Sequence, residues 1–506
     1  MGVVCREAPT TYRMGTSRGR WVIVGAVLGS GMVMLDGTVV NVALPRIGAD
    51  LGASMAALQW ILTAYLVTLS GLILLGGSLG DRYGRRRVFL TGVIWFAAAS
   101  ALCGLAPGTG VLIAARALQG FGGALLTPGS LAIIQATFHP DDRAAAVGAW
   151  SGLGGVAGAV GPLLGGWLAG GPGWRWVFLI NVPVALVVLA VSLRRVPESR
   201  DEAATGAFDL WGAVLAALAL GGVTYALTAA GSGRLTAAIW LLGIAGLLAG
   251  GVFGAVERRR AAPMLPPELF RSRLFTAVNA VTVCVYGAFG GVLLLLMVQL
   301  QTVAGFSPLV AGLAMLPATA LLLALSPRAA RLGEAIGARL PLTVGPVVAA
   351  GGVLLMLRIG AHASYWRDVL PATAVLGIGL TMLVAPLTAT VLASVDVRRA
   401  GIASGVNNAA ARVAGLLAVA ALPLVVGLSG DGYRVPAQVD HSFRGAMVIC
   451  AAVLAAGGGL AWLTVRGGRP APEPEHPVAE PQCVWSCGAP APPLDPGEPS
   501  ARQGPP

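Results

Sequence analysis

Charge is scarce in this chain. Only 11% of its 506 residues are Asp, Glu, Lys or Arg, against about 25% in soluble domains. Lysine is absent altogether, so all 34 basic residues are arginine, a bias typical of GC-rich bacterial genomes. With 56% hydrophobic residues and a mean hydropathy of +0.78, the composition excludes a soluble globular protein. It indicates a polytopic membrane protein.

Residues that carry catalytic or metal chemistry are equally sparse. The four His are isolated and the six Cys are scattered without metal-ligand spacing. We find no nucleotide-binding loop and no serine nucleophile motif. We therefore expect no metal, no cofactor and no catalytic residue, which argues against a membrane enzyme and against ATP as the energy source.

Fourteen apolar runs of about 20 residues each predict fourteen membrane-spanning helices. An all-α fold is the expected class. The runs lie near 21–43, 57–79, 88–106, 109–131, 144–169, 175–193, 210–230, 236–256, 274–298, 308–325, 340–357, 369–394, 403–427 and 444–465.

The distribution of arginine supports this count and predicts an orientation. If the N-terminus is cytoplasmic and the spans alternate, 25 Arg fall inside, seven outside and two within spans. Cytoplasmic loops are enriched in basic residues, so we expect both termini in the cytoplasm of a bacterial cell. The net charge of +12 then faces anionic lipid, and no nucleic-acid partner is expected.

The span map predicts the domain organisation. We expect a cytoplasmic N-terminal tail (1–20), a six-helix bundle (21–194), a linker with two extra spans (195–273), a second six-helix bundle (274–466) and a Pro-rich disordered tail (467–506). Cys483 and Cys487 in that tail are expected to be reduced thiols, since cytoplasmic disulfides are rare.

A charged turn follows the second predicted span, "GSLGDRYGRRRVF" (77–89). It resembles the cytoplasmic loop signature of the major facilitator superfamily. The resemblance implies a charge cluster that latches the two bundles on the cytoplasmic side. Its residues are Gly77, Asp81, Arg82, Gly84, Arg85 and Arg86. The alternative is a basic topology anchor. The equivalent loop of the second half, 326–339, keeps Arg328, Arg331 and Gly337 without a matching acid.

Two further stretches are similar to motifs of the same superfamily. "LIAARALQGFGGA" (112–124) matches the fourth-helix motif and places Arg116 within a span. "GAWSGLGGVAGAVGPLLGG" (148–166) is similar to the fifth-helix antiporter motif, with Ala157 in place of its central glycine. The matching residues are Gly148, Gly161, Pro162, Gly165 and Gly166. This motif favours export over uptake; plain helix packing is the alternative.

The first span contains "LDGTVVNVALPRI" (35–47), which looks like the first-helix motif of the fourteen-span drug:proton antiporters, the EmrB/QacA type. "LQWILTAYLV" (58–67) and "WRWVFLINVP" (174–183) are also similar to that group, and "GIASGVNNAAARVAG" (401–415) matches more loosely. The resemblance implies two six-helix bundles with two extra central spans. It also implies proton-coupled export by alternating access.

Asp36 is the one acidic residue that the span map places inside the membrane. Ionisable residues at that depth are costly and usually functional. We expect Asp36 to carry the coupling proton, with Arg116 tuning it if the two are close. The alternative is a structural acceptor bonded through Thr38 or Asn41.

A substrate cavity is expected between the bundles, with five candidate lining residues. These are Trp60, Tyr65, Gln119, Asn407 and Arg412. A single intramembrane acid favours neutral, weakly anionic or monocationic drugs over dications. The expected partners are a small drug-like substrate, protons and the lipid bilayer, and the expected state is a monomer. The alternative function is a proton-coupled uptake symporter.

Overall fold

A computed structural model of the chain describes residues 12–200, 210–231, 236–260, 265–395 and 400–465. Within these ranges the chain is helical, and its one β-type pairing is an isolated bridge between Tyr12 and Phe138. The predicted Pro-rich tail, Cys483 and Cys487 lie outside the described residues.

The helices are numbered in chain order. They are α1 (Ser17–Leu51), α2 (Met55–Tyr83), α3 (Arg85–Gly104), α4 (Thr109–Thr137), α5 (Pro140–Gly170), α6 (Trp176–Leu179), α7 (Asn181–Arg195), α8 (Leu210–Ala230), α9 (Ala237–Arg259), α10 (Arg273–Val298), α11 (Pro308–Leu313), α12 (Leu316–Ile336), α13 (Arg339–Leu355), α14 (Leu370–Ala393), α15 (Ala400–Val425) and α16 (Pro436–Thr464). Turns of π-helix extend α10 over Gln299–Val303 and precede α14 over Tyr365–Val369.

The described residues contain fourteen helical segments long and apolar enough to cross a membrane, which confirms the predicted count. The sixth segment is formed by α6 and α7, and the tenth by α11 and α12. Several helices extend beyond the predicted apolar runs. α1, for example, begins at Ser17 and ends at Leu51, because polar residues at the membrane surface can continue a helix that hydropathy alone would end.

Local sequence explains where these helices start and stop. Thr16 and Ser54 cap α1 and α2 by accepting backbone N–H bonds from Gly19 and Ala57, as short hydroxyl side chains do at helix N-termini. α1 ends at Gly52 in the left-handed conformation (φ 61°), which glycine adopts without steric cost.

The helices pack as two groups. In the first half (α1–α7), α1 packs on α4, α5 and α7, and α4 packs on α2 and α3. In the second half (α10–α16), α10 packs on α15 and α16, while α14 packs on α12 and α13. The two extra spans, α8 and α9, pack on each other, and α8 touches both α2 and α15.

The two halves are joined firmly at the end where α1 ends and α2 begins, which we call the closed end. Gln59 donates to the carbonyls of Val419 (2.8 Å) and Ala420 (3.1 Å). Gln301 donates to the carbonyl of Val42 at 2.9 Å. One apolar core, including Leu44, Leu58 and Leu300, runs across both halves here.

The loop before α16 completes this closure. The Tyr433 hydroxyl donates to the Ala53 carbonyl (2.7 Å), and Arg434 Nη2 donates to the Gly48 carbonyl (2.9 Å). The Met55 N–H donates to the Gly430 carbonyl at 2.8 Å. The second half thereby pairs the Ala53 carbonyl and the Met55 N–H, which the junction of α1 and α2 would leave unpaired, and it adds a second donor to the Gly48 carbonyl, which already accepts from the Ala53 N–H.

The first part of α5, unlike the closed end, is loosely packed. A Cβ built at Gly148, Gly152, Gly154 or Gly158 meets no atom within 4 Å. Leu153 and Val160, which lie on the same stretch, are also exposed. The first part of α5 therefore borders open space, whereas its last part is packed at the closed end.

Candidate functional site

Asp36 and Arg116 form an ion pair inside the first half. Arg116 Nη1 donates to Asp36 Oδ2 at 2.5 Å. The two side chains are 0% and 1% exposed. Sequence alone predicted that both residues are intramembrane; their contact joins α1 to α4.

Three neutral side chains complete the hydrogen bonding of this pair. Gln119 Nε2 donates to Asp36 Oδ1 at 2.8 Å, and Gln119 Oε1 accepts from Arg116 Nη1 at 2.7 Å. Asn181 Nδ2 reaches Asp36 Oδ1 at 3.5 Å and Ser100 Oγ at 3.0 Å. We call these five residues the buried network: Asp36, Ser100, Arg116, Gln119 and Asn181. A buried ion pair is tolerated when its remaining polar atoms are satisfied in this way.

The buried network also contacts α2. Arg116 Nε donates to the Ile61 carbonyl at 2.9 Å. The guanidinium carbon lies 4.2 Å from the centre of the Tyr65 ring, within cation–π range. Ile61 is two residues from Gln59, which bonds α2 to α15. A continuous set of contacts therefore leads from Asp36 to the seam between the halves.

Several sequence-based assignments change here. Asn41 and Thr38 bond only to carbonyls of their own helix in the described structure, so they do not hold Asp36. A structural role of Asp36, as an acceptor that ties α1 to its neighbours, stays an alternative. Gln119 and Tyr65, predicted as cavity residues, are buried in or against the network. They do not border open space in this conformation.

Trp60 contacts the first extra span. Its ring centre is 6.0 Å from that of Tyr225 on α8. Trp60 therefore packs in the seam between α2 and the first extra span. The hydropathy pattern gave no sign of which helix would cover this face of α2.

The second half holds a neutral polar cluster. Asn407 Nδ2 donates to Asn279 Oδ1 (3.1 Å) and to Thr282 Oγ1 (2.7 Å), joining α15 to α10. Asn407 is partly exposed. Arg412, also partly exposed, bonds to Asn408 Oδ1 at 3.3 Å. Asn407 and Arg412 thus keep the accessibility that a substrate contact requires.

The charged loop motif makes contacts inside the first half. Asp81 accepts from Arg85 Nε at 2.8 Å, and Arg86 Nη1 donates to the Val196 carbonyl at 3.0 Å. Gly84 has φ 110°, and a Cβ there would lie 2.7 Å from Glu198 Oε1. A latch between the halves at this loop stays a prediction.

The glycines of the fifth-helix motif divide into two sets. A Cβ at Gly165 would lie 2.6 Å from the Val39 carbonyl oxygen, and one at Gly166 would lie 2.5 Å from that of Pro308. Gly161 packs more tightly still, against Thr38. Ala157, in the place of the central glycine, faces Gly31 with room for its methyl group. Gly148, by contrast, faces open space.

Glu257, near the end of α9, is a second buried carboxylate that the span map assigned to a helix end. It is 2% exposed, and its Oε2 accepts from the Leu265 N–H at 2.8 Å. Among the described residues, no group of three or more His, Cys, Asp and Glu side chains is placed to hold a metal ion.

Comparison with known families agrees with this architecture. The family model described as Major Facilitator Superfamily matches residues 26–419. The chain belongs to the major facilitator superfamily. This confirms the resemblance read from the loop and helix motifs, and it makes the protein a multi-pass membrane transporter.

Relatives with similar sequences include resistance and export proteins of Streptomyces. The puromycin resistance protein pur8 of Streptomyces alboniger is 36% identical over 88% of this chain and 91% of its own length. The probable actinorhodin transporter of Streptomyces coelicolor is 38% identical, over 83% and 75%. The tetracenomycin C resistance and export protein of Streptomyces glaucescens is 35% identical, over 81% and 76%.

Solved structures of the superfamily share the fold. A bacterial homologue of the human lysosomal transporter Spinster superposes with a TM-score of 0.61 at 17% identity, covering 90% of this chain and 98% of that structure. A D-xylose–proton symporter gives 0.63 at 16% identity, covering 89% and 99%. The predicted all-α fold with two bundles and extra spans is thereby confirmed.

Proposed function

We propose that this transporter exports small amphipathic drugs or antibiotic-like metabolites in exchange for protons. The observation that carries the proposal is the buried ion pair between Asp36 and Arg116. Charged side chains inside a membrane are costly, and they usually serve transport or proton transfer. The relatives whose names record resistance to puromycin or export of tetracenomycin C support the substrate class.

We propose that the closed end faces the exterior. The opposite end, where α1 and α3 begin and α7 ends, carries Arg18, Arg86, Arg194 and Arg195 and is called the arginine-rich end. It faces the cytoplasm, with both termini cytoplasmic. The tight contacts of Gln59, Tyr433 and Arg434 then form the outer gate. The open space beside the first part of α5 faces the cytoplasm. We therefore propose an inward-facing conformation, and a monomeric carrier with two six-helix bundles (21–194 and 274–466).

Charge pairing links the proton to the conformation. In the buried network the ionised carboxylate and the guanidinium neutralise each other. Protonating Asp36 here would leave a buried, unpaired Arg116, which is costly. The inward-facing form therefore holds the deprotonated pair, and the protonated form requires a rearrangement in which Arg116 finds water or another acceptor.

The contacts of Arg116 suggest how that rearrangement reaches the outer gate. Arg116 holds the Ile61 carbonyl on α2, and Gln59 on the same helix bonds to α15 across the seam. In the outward-facing form a proton from the exterior keeps Asp36 and Arg116 apart. When Asp36 releases that proton to the cytoplasm, the ion pair re-forms and Arg116 again anchors α2 next to the seam, which couples proton release to closure of the outer gate. The partly exposed Asn407 and Arg412 supply hydrogen bonds to the drug from the second half.

The test is export by wild type and by Asp36→Asn, measured as drug uptake into inverted membrane vesicles with an imposed proton gradient. We expect wild-type transport to collapse with a protonophore, and the variant to lose both gradient-driven transport and drug-driven proton release. Asp141→Asn, an exposed acid paired with Arg13, is the matched control and should transport normally. If Asp36→Asn kept both gradient-driven transport and drug-driven proton release, Asp36 would not be the coupling residue. Movement of drug out of the inverted vesicles would favour the symporter.

A further inference from the structure

A cavity of about 280 Å³ lies at the arginine-rich end of the first half, away from the buried network. Four of its lining residues are arginines, namely Arg18, Arg86, Arg194 and Arg195. Tyr12, Val196 and Pro197 complete the wall. A single water needs only about 10–15 Å³ of such space, so the cavity accommodates a polar group much larger than water.

Within the described ranges, the positive charge of this cavity is mostly uncompensated. Arg18, Arg194 and Arg195 have no ion-pair or hydrogen-bond partner in the described part of the chain. Arg86 lies 3.9 Å from Glu198, but its buried Nε makes no hydrogen bond. The positive charges around this space repel each other. An anion that enters it would be attracted by at least three guanidinium groups and would reduce this repulsion.

Guanidinium groups suit phosphate oxygens in particular, because their N–H donors pair with two oxygens at once. The position of the cavity indicates where such a phosphate would come from. Arg18 is in the first turn of α1, and Arg194 and Arg195 are in the last turn of α7. These helix ends lie at the level of the lipid headgroups if the helices span the membrane.

Exposed apolar side chains adjoin the arginines on the same helices. Trp21 lies three residues from Arg18, on the same face of α1, and is 43% exposed. Leu193 precedes Arg194 and is 60% exposed. A molecule with a phosphate in the cavity could lay an acyl chain against these side chains, as a free phosphate could not.

We propose that this cavity binds the phosphate headgroup of an anionic membrane lipid. Arg18, Arg194 and Arg195 contact the phosphate oxygens, and Tyr12 together with Arg86 borders the headgroup. The site ties the start of α1 to the end of α7. None of its residues belongs to the buried network.

The test is a lipid titration of the purified full-length protein in detergent, read by native mass spectrometry. The probes are phosphatidylglycerol, zwitterionic phosphatidylcholine, glycerol 3-phosphate and inorganic phosphate. For wild type we expect binding of phosphatidylglycerol well above that of phosphatidylcholine, with little competition from either soluble phosphate. Each interfacial arginine contributes roughly fivefold to such binding, so Arg194→Gln/Arg195→Gln should weaken it about 25-fold.

Matched variants make the result decisive. Arg258→Gln/Arg259→Gln removes the same charge from exposed positions in the last turn of α9 and should leave binding unchanged. Arg194→Lys/Arg195→Lys should recover most of the affinity. Arg18→Gln, on a different helix, should cost about fivefold on its own.

Three outcomes would overturn the proposal. Equal losses in the α7 and α9 variants would show a diffuse charge effect and no site. Unchanged binding in both the α7 and the Arg18 variants would show that lipid does not use the cavity. Tight binding of glycerol 3-phosphate or inorganic phosphate that displaces the lipid would identify a site for soluble anions.

Discussion

The polar centres of the two halves differ in charge and in burial. In the first half, Asp36 and Arg116 form an ion pair between two fully charged side chains that are buried. In the second half, Asn279, Thr282 and Asn407 form a neutral cluster that stays partly exposed through Asn407. Each cluster begins on the first helix of its half, α1 or α10.

This difference indicates a division of labour between the halves. A buried ion pair responds strongly to a single proton, because losing one charge leaves the other unpaired. A neutral amide and hydroxyl cluster does not change with pH, and it can exchange hydrogen bonds with a ligand at little cost. We therefore expect the first half to read the proton and the second half to hold the drug.

The largest expected effect comes from breaking the ion pair on one side only. Arg116→Ala leaves Asp36 buried without its cation and removes the bond to Ile61. Removing one partner of a buried pair costs about 3–5 kcal/mol. We expect a marked fall in the thermal unfolding midpoint of the purified protein and loss of export.

The control removes both charges. Asp36→Asn/Arg116→Gln should recover much of the stability, because no unpaired charge remains, while proton-coupled export stays absent. If the double variant were as unstable as Arg116→Ala, the cost would come from lost packing around Tyr65 rather than from charge.

The fold could be predicted from sequence because a membrane-spanning helix must be apolar over about 20 residues, which hydropathy measures directly. Fourteen apolar runs were enough to place fourteen helices, and the family motifs then supplied the arrangement of the two halves. Asp36 and Arg116 could be singled out for the same reason, since a charge within an apolar run is conspicuous. Their contact could not, because they are 80 residues apart in sequence.

Neutral members of the site left no such signal. Ser100 and Asn181 join the buried network, yet an isolated serine or asparagine in a span is common and cheap. Tyr65 and Trp60 were assigned to a cavity on residue type alone. Which face of α2 meets α4 and which meets α8 depends on packing between helices, and periodicity is weak where all faces are apolar.

A smaller effect is expected at the seams between helices, where the halves can be compared position by position. α1 meets α5 at Gly165, and α10 meets α15 near Gly415. Gly165→Ala would place a methyl group 2.6 Å from the Val39 carbonyl. Such overpacking costs about 1–3 kcal/mol. We expect a lower unfolding midpoint and reduced export.

Gly415→Ala is the matched control. Its nearest neighbour would be the Tyr286 carbonyl at 3.7 Å, which is an ordinary contact distance. The substitution should leave stability unchanged or raise it slightly, because alanine favours helix by about 0.5–1 kcal/mol. Equal losses at both positions would mean that the motif glycine in α5 has no special packing role.

The smallest expected effect tests the neutral cluster itself. Asn407→Ala removes the bonds to Asn279 Oδ1 and Thr282 Oγ1, and two neutral hydrogen bonds contribute about 1–2 kcal/mol together. Since the ion pair of the first half is untouched, drug-driven proton release should persist while the KM for drug rises. Thr388→Ala, which loses only a bond to the Val384 carbonyl of its own helix, α14, is the control. If Asn407→Ala abolished proton release in a folded protein, proton reading would extend into the second half, and the division between the halves would be wrong.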